Sequence, residues 1–207
     1  MHLQEKCAGA KGRNNMENSF FALLFRQKYI KRWGLMRNTT DENLSEHSAE
    51  TAFIAHALAL IGNKKFGKSY DADAIAVAAL YHDAAEIYTG DLPTPVKYYS
   101  EEMRKNYKQI EAAAEKILVS HLPEEFREVY SDIISGVSGE EKVLVKAADK
   151  ICALIKCIEE GKSGNSEFAS AEKATRISLD EMNSPEANYF IKEFLPAFLE
   201  TIDENSL

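Results

Sequence analysis

A histidine, an aspartate and a glutamate that could bind a metal ion or move a proton lie within five residues of the chain. His82 and Asp83 are adjacent, and Glu86 follows about one helical turn later. Because side chains three and four positions apart share a helix face, we expect Glu86 to project to the same side as the other two. The apolar run at residues 74–80 is typical of a core helix and would carry these groups inward. The alternative is a set of solvated charges near a helix end.

Few other histidines and acids can complete a site with this cluster. Two of the five histidines fall in the N-terminal stretch or beside a predicted helix end. His56 comes nine residues after His47, which is about 180° around a helix at ~100° per residue, so these two side chains do not point at one site. The remaining candidates are His47, the His82–Asp83 pair and Asp149, an acid within the apolar stripe of a later helix.

Two imidazoles and two carboxylates form a mixed nitrogen and oxygen ligand set. Such a set suits Co²⁺, Mn²⁺, Fe²⁺, Zn²⁺ or Mg²⁺ and does not choose among them. With four protein donors, an octahedral ion would keep positions for water and for a substrate oxygen. Spacing alone leaves a second interpretation open, which is a buried polar network without an ion.

The elements that must position these residues are all predicted to be helices. Apolar residues recur at helical spacing, and no segment shows sustained period-two alternation. We therefore predict an all-α, single-domain helical bundle over residues 16–207, preceded by a flexible extension at residues 1–15. The predicted helices cover residues 17–31, about 43 to between 62 and 67, 71–90, 100–119, 123–136, 138–161, 167–182 and 185–202.

Capping and proline signals set the predicted helix ends. Two residue pairs have the spacing of capping boxes, Asn43 with Glu46 and Ser138 with Glu141. The third predicted helix contains the whole acidic and histidine cluster and stops at Gly90. Pro93 and Pro95 then predict a stiff, extended loop, and Pro196 predicts a kink in the last helix.

Length and composition are those of a soluble globular protein. The chain has 207 residues, of which 45% are hydrophobic and 28% charged, enough for one domain with a sizeable core. A net charge of −8 argues against a nucleic-acid polymer as partner, although a local pocket for a small anion is compatible with it. No apolar stretch predicts a secretion signal or a membrane span. The three cysteines show no metal or disulfide pattern, so we expect a cytoplasmic protein.

Five short segments of the chain resemble one known family. They are residues 32–38, 43–48, 81–86 and 89–98 and the Leu-Val-Lys-x-Ala-Asp sequence that ends at Asp149. In this order they resemble the HD-domain phosphohydrolase superfamily, whose members bind a divalent metal through His…His-Asp…Asp, and more closely the bacterial 5′-deoxynucleotidases. The resemblance runs from about Met16 to the C-terminus. One departure is Gly34, where that family often has proline, and it could loosen the loop without touching a ligand.

The resemblance implies a chemical role for each matching residue. The metal ligands would be His47, His82, Asp83 and Asp149. Glu86 would be the catalytic acid or base, with a carboxylate that only orients a histidine as the alternative. Arg32 would orient the phosphate during catalysis with its bidentate fork, whereas the residues alone favour a surface arginine.

A substrate-binding set is also implied by the resemblance. It comprises Arg32, Trp33, His47, Asp83, Asp91, Leu92, Pro93, Thr94 and Asp149. Trp33, the only tryptophan, would pack against the sugar, where its bulk could exclude a 2′-hydroxyl, and a core anchor is the alternative. Asp91 and Thr94 would contact the deoxyribose and phosphate region, with a helix cap and a turn residue as their alternatives.

The function implied by the resemblance is hydrolysis of deoxyribonucleoside 5′-monophosphates to deoxynucleosides and phosphate by a metal-dependent 5′-deoxynucleotidase. One alternative is another HD-type phosphohydrolase, although a triphosphate substrate would need more basic groups than Arg32, Arg37 and Lys97 supply. A second alternative, a non-catalytic nucleotide or metal sensor, is disfavoured because Glu86 and all the ligands are present. The resemblance further implies a homodimer, for which the aromatic residues in 189–198 could supply an apolar face or form part of the core.

Overall fold

The structure is a computed structural model that describes residues 18–97 and 99–206, with the backbone alone at residues 94, 95, 202 and 206. The α-helices of this part are α1 Phe20–Leu24, α2 Leu44–Lys65, α3 Ala72–Tyr81, α4 Glu86–Thr89, α5 Thr94–Lys97, α6 Glu101–Ser120, α7 Glu124–Ser135, α8 Gly139–Lys162, α9 Ala169–Glu181, α10 Pro185–Glu193 and α11 Ile202–Ser206. Three 3₁₀ helices join them, Phe25–Tyr29, Ser166–Phe168 and Leu195–Leu199.

The predicted all-α fold is confirmed, because the described residues contain helices and no strand. Lys31 and Asn43 form an isolated antiparallel bridge that closes the loop before α2. None of the helices in residues 18–97 and 99–206 is long and apolar enough to cross a membrane. The predicted extension, residues 1–15, lies outside the described residues.

The main hydrophobic core lies between α2, α3 and α8. Leu58, Ile75 and Ile151, one from each helix, are fully buried in it. Small residues such as Ala59 and Ala148 are also fully buried, and they let the helix backbones approach closely. Each of these helices contains or immediately precedes one predicted metal ligand, so the core fixes the relative positions of the ligands.

A second apolar cluster supports the turn that follows α3. Phe20 of α1, Leu118 of α6 and Ile134 of α7 surround Ala84, which is fully buried. Because Ala84 lies within the His82–Glu86 segment, this cluster packs the segment against α1, α6 and α7. Packing, and not helix continuity, therefore positions the acidic and histidine cluster.

The predicted third helix was wrong at residues 82–85, whereas Glu86–Thr89 is helical as predicted and ends at Gly90. Residues 82–85 form turns, with Ala84 N donating to Tyr81 O at 3.0 Å and Glu86 N donating to Asp83 O at 3.0 Å. In an α-helix the Ala79 carbonyl would accept from the amide four residues later. Here the ring Nδ1 of His82 lies 2.6 Å from that oxygen, so the His82 side chain takes the place of the helical partner.

Other predicted helix ends were partly right. The capping box of Asn43 is confirmed, whereas Ser138 makes no side-chain cap hydrogen bond at the start of α8. Pro95 lies within α5 and not in an extended loop, since a proline in the first turn lacks only an N–H that the helix does not use. The last predicted helix ends at Glu193, and Pro196 belongs to the 3₁₀ helix that follows.

Candidate active site

Three predicted metal ligands converge from three different helices. His47 lies in the first turn of α2, His82 follows the last residue of α3, and Asp149 lies within α8. Ligand atoms of these three residues all lie within 4.8 Å of one another. His47 Nε2 lies 3.2 Å from Asp149 Oδ1, and the two imidazole centroids are 5.3 Å apart. The geometry is that of a His₂Asp triad that can hold a metal ion.

Asp83, the fourth predicted ligand, adjoins this triad. Its Oδ2 lies 3.0 Å from His82 Nε2 and 3.8 Å from His47 Nε2. The same oxygen lies 3.7 Å from Arg32 Nη1. The Asp83 carboxylate therefore stands between the ion-binding triad and a guanidinium that is itself largely buried.

The ring nitrogens of His82 fit a metal ligand. With Nδ1 2.6 Å from the Ala79 carbonyl, the neutral imidazole carries its proton on Nδ1, which leaves the lone pair of Nε2 for an ion. Nε2 is buried and makes no hydrogen bond to any described residue. Asp83 Oδ2 lies 3.0 Å from this nitrogen but outside hydrogen-bond geometry, and a cation bound by Nε2 would account for the arrangement.

The charges around the triad also fit a cation. Burial alone would lower the pKa of His82, but Asp83 and Asp149 outweigh it and raise the pKa to about 9. For Asp149, burial is outweighed by its hydrogen bond to His47 and by the histidine charges, so its pKa lies well below the usual range. A site that attracts protons this strongly also attracts a divalent ion, which would displace them.

Glu86 lies beside the triad in an environment that favours its neutral form. Its side chain is 5% exposed, and Oε2 finds no hydrogen-bond partner within the described residues. Burial, reinforced by the charges of Asp83 and Asp91, raises its pKa to about 9, against the opposing effect of Lys97 and Arg32. A carboxyl group of this kind can carry a proton at neutral pH and transfer it to a reacting atom.

The loop before α2 carries two further predicted site residues, Arg32 and Trp33. Trp33 has a left-handed backbone, with φ +58°, and its amide donates to Asp91 Oδ2 at 3.2 Å. Its ring packs on Phe168 with centroids 5.3 Å apart. Leu92 and Pro93 follow Asp91 as partly buried residues of one loop. The side chain of Thr94 lies outside the described part of the structure.

One residue of the site, Glu42, was not among the predictions. Its carboxylate accepts hydrogen bonds from Arg32 Nε at 3.0 Å and from Trp33 Nε1 at 2.8 Å, and it lies 3.4 Å from His47 Nδ1. The sequence offers one signal, an acid immediately before the N-cap Asn43, and acids are common at such positions.

Comparison with known proteins agrees with this geometry. Residues 19–198 match the sequence profile of a family described as 5′-deoxynucleotidase YfbR-like. The chain belongs to this YfbR-like family. The resemblance predicted from the short segments is thereby confirmed, and the match spans all the residues placed in the site.

Relatives of the YfbR-like chain share about half of its sequence. It is 54% identical to the 5′-deoxynucleotidase VV1113 of Vibrio vulnificus, over 92% of this chain and 99% of that protein. It is 48% identical to the 5′-deoxynucleotidase YfbR of Escherichia coli (strain ATCC 8739), over 92% of this chain and 96% of that protein.

Solved structures show the same HD-type fold for the YfbR-like chain. An HD-domain phosphohydrolase of Listeria innocua, lin2634, is 25% identical and superposes with a TM-score of 0.76, covering 87% of this chain and 88% of that one. The cyanophage S-2L HD phosphohydrolase DatZ, bound to dA and one catalytic Zn²⁺, is 20% identical with a TM-score of 0.64, covering 87% and 96%.

Proposed function

We propose that the chain is a metal-dependent 5′-deoxynucleotidase that hydrolyses deoxyribonucleoside 5′-monophosphates to deoxynucleosides and phosphate. The observation that carries the proposal is the His47–His82–Asp149 triad, with Arg32 and Glu86 both close to the adjoining Asp83. An ion site, a cation for phosphate and a proton carrier are the groups that phosphomonoester hydrolysis requires. Family membership and the names of the relatives support this activity over other phosphohydrolase reactions.

The residues that would hold the ion are His47, His82, Asp83 and Asp149. When bound, a divalent ion supplies Lewis acidity and lowers the pKa of a bound water. The Zn²⁺ bound by the cyanophage enzyme supports zinc as one candidate, and the ligand set is also compatible with Co²⁺, Mn²⁺ or Mg²⁺.

The protein groups around the ion would handle phosphate and protons. Arg32 would orient the phosphate, because its Nη1 is directed toward Asp83 at the edge of the triad while Glu42 holds its Nε. Glu86 would carry the proton that the leaving deoxynucleoside oxygen needs, since its pKa of about 9 keeps it protonated at neutral pH before substrate and ion arrive.

Selectivity for the deoxyribose would come from the loops that carry Trp33 and Asp91. The two residues are joined by the hydrogen bond from the Trp33 amide to the Asp91 carboxylate. The indole would lie against the sugar and leave little room for a 2′-hydroxyl. Leu92, Pro93 and Thr94 would complete this wall.

A monophosphate suits the available positive charge better than a triphosphate. Lys97 is paired with Glu111 at 2.9 Å, and Arg37 is paired with Glu167 at 2.9 Å. Both cations are therefore paired within the chain. Arg32 is also paired, with Glu42 at 3.0 Å, but its Nη1 lies 3.7 Å from Asp83 at the edge of the ion site. A chain of three phosphates would demand more unpaired charge.

A substrate panel tests the proposed function. Purified protein supplied with Zn²⁺, Co²⁺, Mn²⁺ or Mg²⁺ should release phosphate faster from dAMP than from AMP, and dATP should be the poorest of the three. Equal rates with dAMP and AMP would refute the role of Trp33 in excluding ribose. Absence of phosphate release from every monophosphate would refute the activity itself.

The assembly, location and domain limits of the chain are proposals of the same kind. We propose a cytoplasmic homodimer whose domain spans residues 16–207, with residues 1–15 as an extension. Phe190 is buried in the core, whereas Phe194 and Phe198 are 47% and 37% exposed and could contact a second copy. Light scattering of the purified chain should give twice the mass of one copy, and a single-copy mass would contradict the dimer.

A further inference from the structure

The Glu42 carboxylate links two residues that the proposed function assigns to the nucleotide. Its Oε1 accepts a hydrogen bond from Arg32 Nε at 3.0 Å, and its Oε2 accepts one from Trp33 Nε1 at 2.8 Å. The Glu42 side chain is 12% exposed, so these bonds are largely shielded from water. Both side chains are thereby held by opposite oxygens of a single carboxylate.

The Glu42 carboxylate also lies next to His47, one of the three residues of the metal triad. The imidazole of His47 is completely buried, and its Nε2 is turned toward Asp149 at 3.2 Å. The opposite nitrogen, Nδ1, lies 3.4 Å from Glu42 Oε1 and has no hydrogen bond of standard geometry with any described residue. A buried N–H without a partner is costly, and a small shift of the ring would give it one.

Metal-binding histidines commonly donate their second ring N–H to a carboxylate, which fixes the tautomer and the ring orientation. Glu42 is placed to do this for His47 while it also holds Arg32 and Trp33. We propose that Glu42 is a positioning residue that couples the metal site to nucleotide binding by joining His47, Arg32 and Trp33 into one hydrogen-bonded unit. The nucleotide half of this inference rests on the proposed function, whereas the metal half rests on the ligand geometry alone.

The amide of glutamine cannot replace this carboxylate. The N–H groups of Arg32 and Trp33 donate to the two oxygens of Glu42, and His47 Nδ1 lies 3.4 Å from Oε1; a carboxylate can accept from all three. In Glu42→Gln one oxygen becomes an NH₂ group, which must face an N–H donor. If the amide oxygen stays with Arg32 and His47, the Trp33 bond is lost, and if it stays with Trp33, the other two are lost.

The test compares Glu42→Gln with Asp41→Asn, an exposed neighbour that pairs with Lys31 and not with the site. Zn²⁺ affinity is measured by competition with a chelating dye, and KM for dAMP is measured at saturating Zn²⁺. For Glu42→Gln we expect Zn²⁺ affinity to fall about 10–100-fold and KM to rise. Fluorescence of Trp33, the only tryptophan, should also shift in emission because its Nε1 loses its partner. Asp41→Asn should change none of these readings.

An unchanged Zn²⁺ affinity in folded Glu42→Gln protein would overturn the proposal, even with a higher KM, and so would an unchanged KM. Circular dichroism establishes that the variant is folded. If it is not, Glu42→Asp takes its place, because it keeps the charge but withdraws both oxygens by about one carbon–carbon bond. If the unaltered protein hydrolyses no nucleotide, the proposed function fails, and the zinc titrations alone still decide whether Glu42 positions His47.

Discussion

At the scale of single residues, the surroundings of Glu86 favour its protonated form. It lies among acids, out of water and with one oxygen unpaired, so its neutral form is favoured. Burial would lower the pKa values of His47 and His82, but the acidic groups around them outweigh burial and raise both values. The same negative charge would therefore favour a proton on Glu86 and a cation at the histidines.

Glu86→Gln should remove turnover and leave metal binding intact. The amide has the shape of the protonated acid, so the fold and the triad should be preserved, but it cannot give up a proton. We expect kcat for dAMP to fall by about 10²–10⁴-fold, with Zn²⁺ affinity changed little. Steady-state kinetics and zinc titration measure both quantities, with the exposed Glu102→Gln of α6 as control. Full turnover in Glu86→Gln would contradict its role.

At the scale of helices, Gly62 of α2 marks a close approach that a larger residue would disturb. A Cβ atom at this position would lie 2.5 Å from Tyr70 Cε2 and 3.3 Å from Glu186 Cγ. Tyr70 cannot move freely, because its backbone is hydrogen-bonded to the Asn63 side chain and its hydroxyl lies 3.2 Å from Glu140 Oε2 and 3.3 Å from Glu186 Oε1, either of which can accept its proton. The glycine thus lets α2 pack closely against Tyr70 and against Glu186 of α10.

Gly62→Ala should lower the free energy of unfolding by about 1–3 kcal/mol, because overpacking outweighs the better helix propensity of alanine. Gly161→Ala in α8 is the matched control, since nothing lies within 4 Å of an added Cβ there. That variant should be stabilised by up to ~1 kcal/mol. Urea unfolding measures both changes, and equal shifts of the two variants would show that the Tyr70 contact does not matter.

A buried ion pair within α8 also hydrogen-bonds the loop that carries Arg32 and Trp33. Lys156 Nζ lies 2.6 Å from Glu160 Oε1, and Glu160 is 1% exposed. The Glu160 carboxylate also accepts from Thr39 N at 2.9 Å and from Asn165 Nδ2 at 2.8 Å. Burial opposes ionisation of Glu160, but Lys156 and these hydrogen bonds outweigh it and hold its pKa well below the usual range.

Glu160→Gln should lower the free energy of unfolding at pH 7 by about 3 kcal/mol, because the charge of Lys156 is left buried without its partner. A carboxyl whose pKa is lower in the folded state stabilises the fold above the unfolded value of about 4.3 and loses this contribution as the pH falls below it. The difference between the variant and the unaltered protein should therefore shrink from pH 6 to pH 3. Glu159→Gln, exposed on the same helix, is the control for urea unfolding. A constant difference across that range would contradict the assigned pKa direction.

At the scale of the whole molecule, metal binding and folding should be linked. The triad residues lie at positions 47, 82 and 149, on or next to the three helices that enclose the main core, so the unfolded chain cannot present them together. A ligand that binds only the folded state stabilises it by ~2.7 kcal/mol at 100 times its dissociation constant. A bound ion should therefore join α2, α8 and the segment after α3 and so stabilise the folded state.

Zn²⁺ should raise the Tm of the unaltered protein by several degrees, and EDTA should reverse the change. His82→Ala should show no such rise and no phosphate release, because the triad has lost one ligand. His56→Ala is the matched control, since His56 is half-exposed on α2 and outside the triad, and it should respond like the unaltered protein. Differential scanning calorimetry measures all three, and a zinc-dependent rise in His82→Ala would contradict the assigned ligand.

Most of the fold could be predicted from the sequence, and so could the three residues that converge in the His₂Asp triad, but less of what surrounds them. Helical periodicity predicted the all-α architecture, and the Asn43 cap predicted the start of α2. The turn at residues 82–85 was missed, because it depends on a side chain bonding a backbone carbonyl and on apolar support from distant helices. Glu42 and Glu160 were missed for a similar reason, since their partners lie in space and only partly in sequence order.

The left-handed backbone of Trp33 has a consequence for how such a chain can change under selection. A non-glycine residue at φ +58° is conformationally unfavourable, and the strain costs of order 1 kcal/mol or more. Glycine or asparagine would relax it, so selection for stability alone would remove the tryptophan. The bond from Nε1 to Glu42 requires the indole, whereas the bond from the amide to Asp91 requires only the backbone, so replacing Trp33 would give up the first of them. Thermostabilised descendants of the chain should therefore accumulate changes elsewhere before they alter position 33.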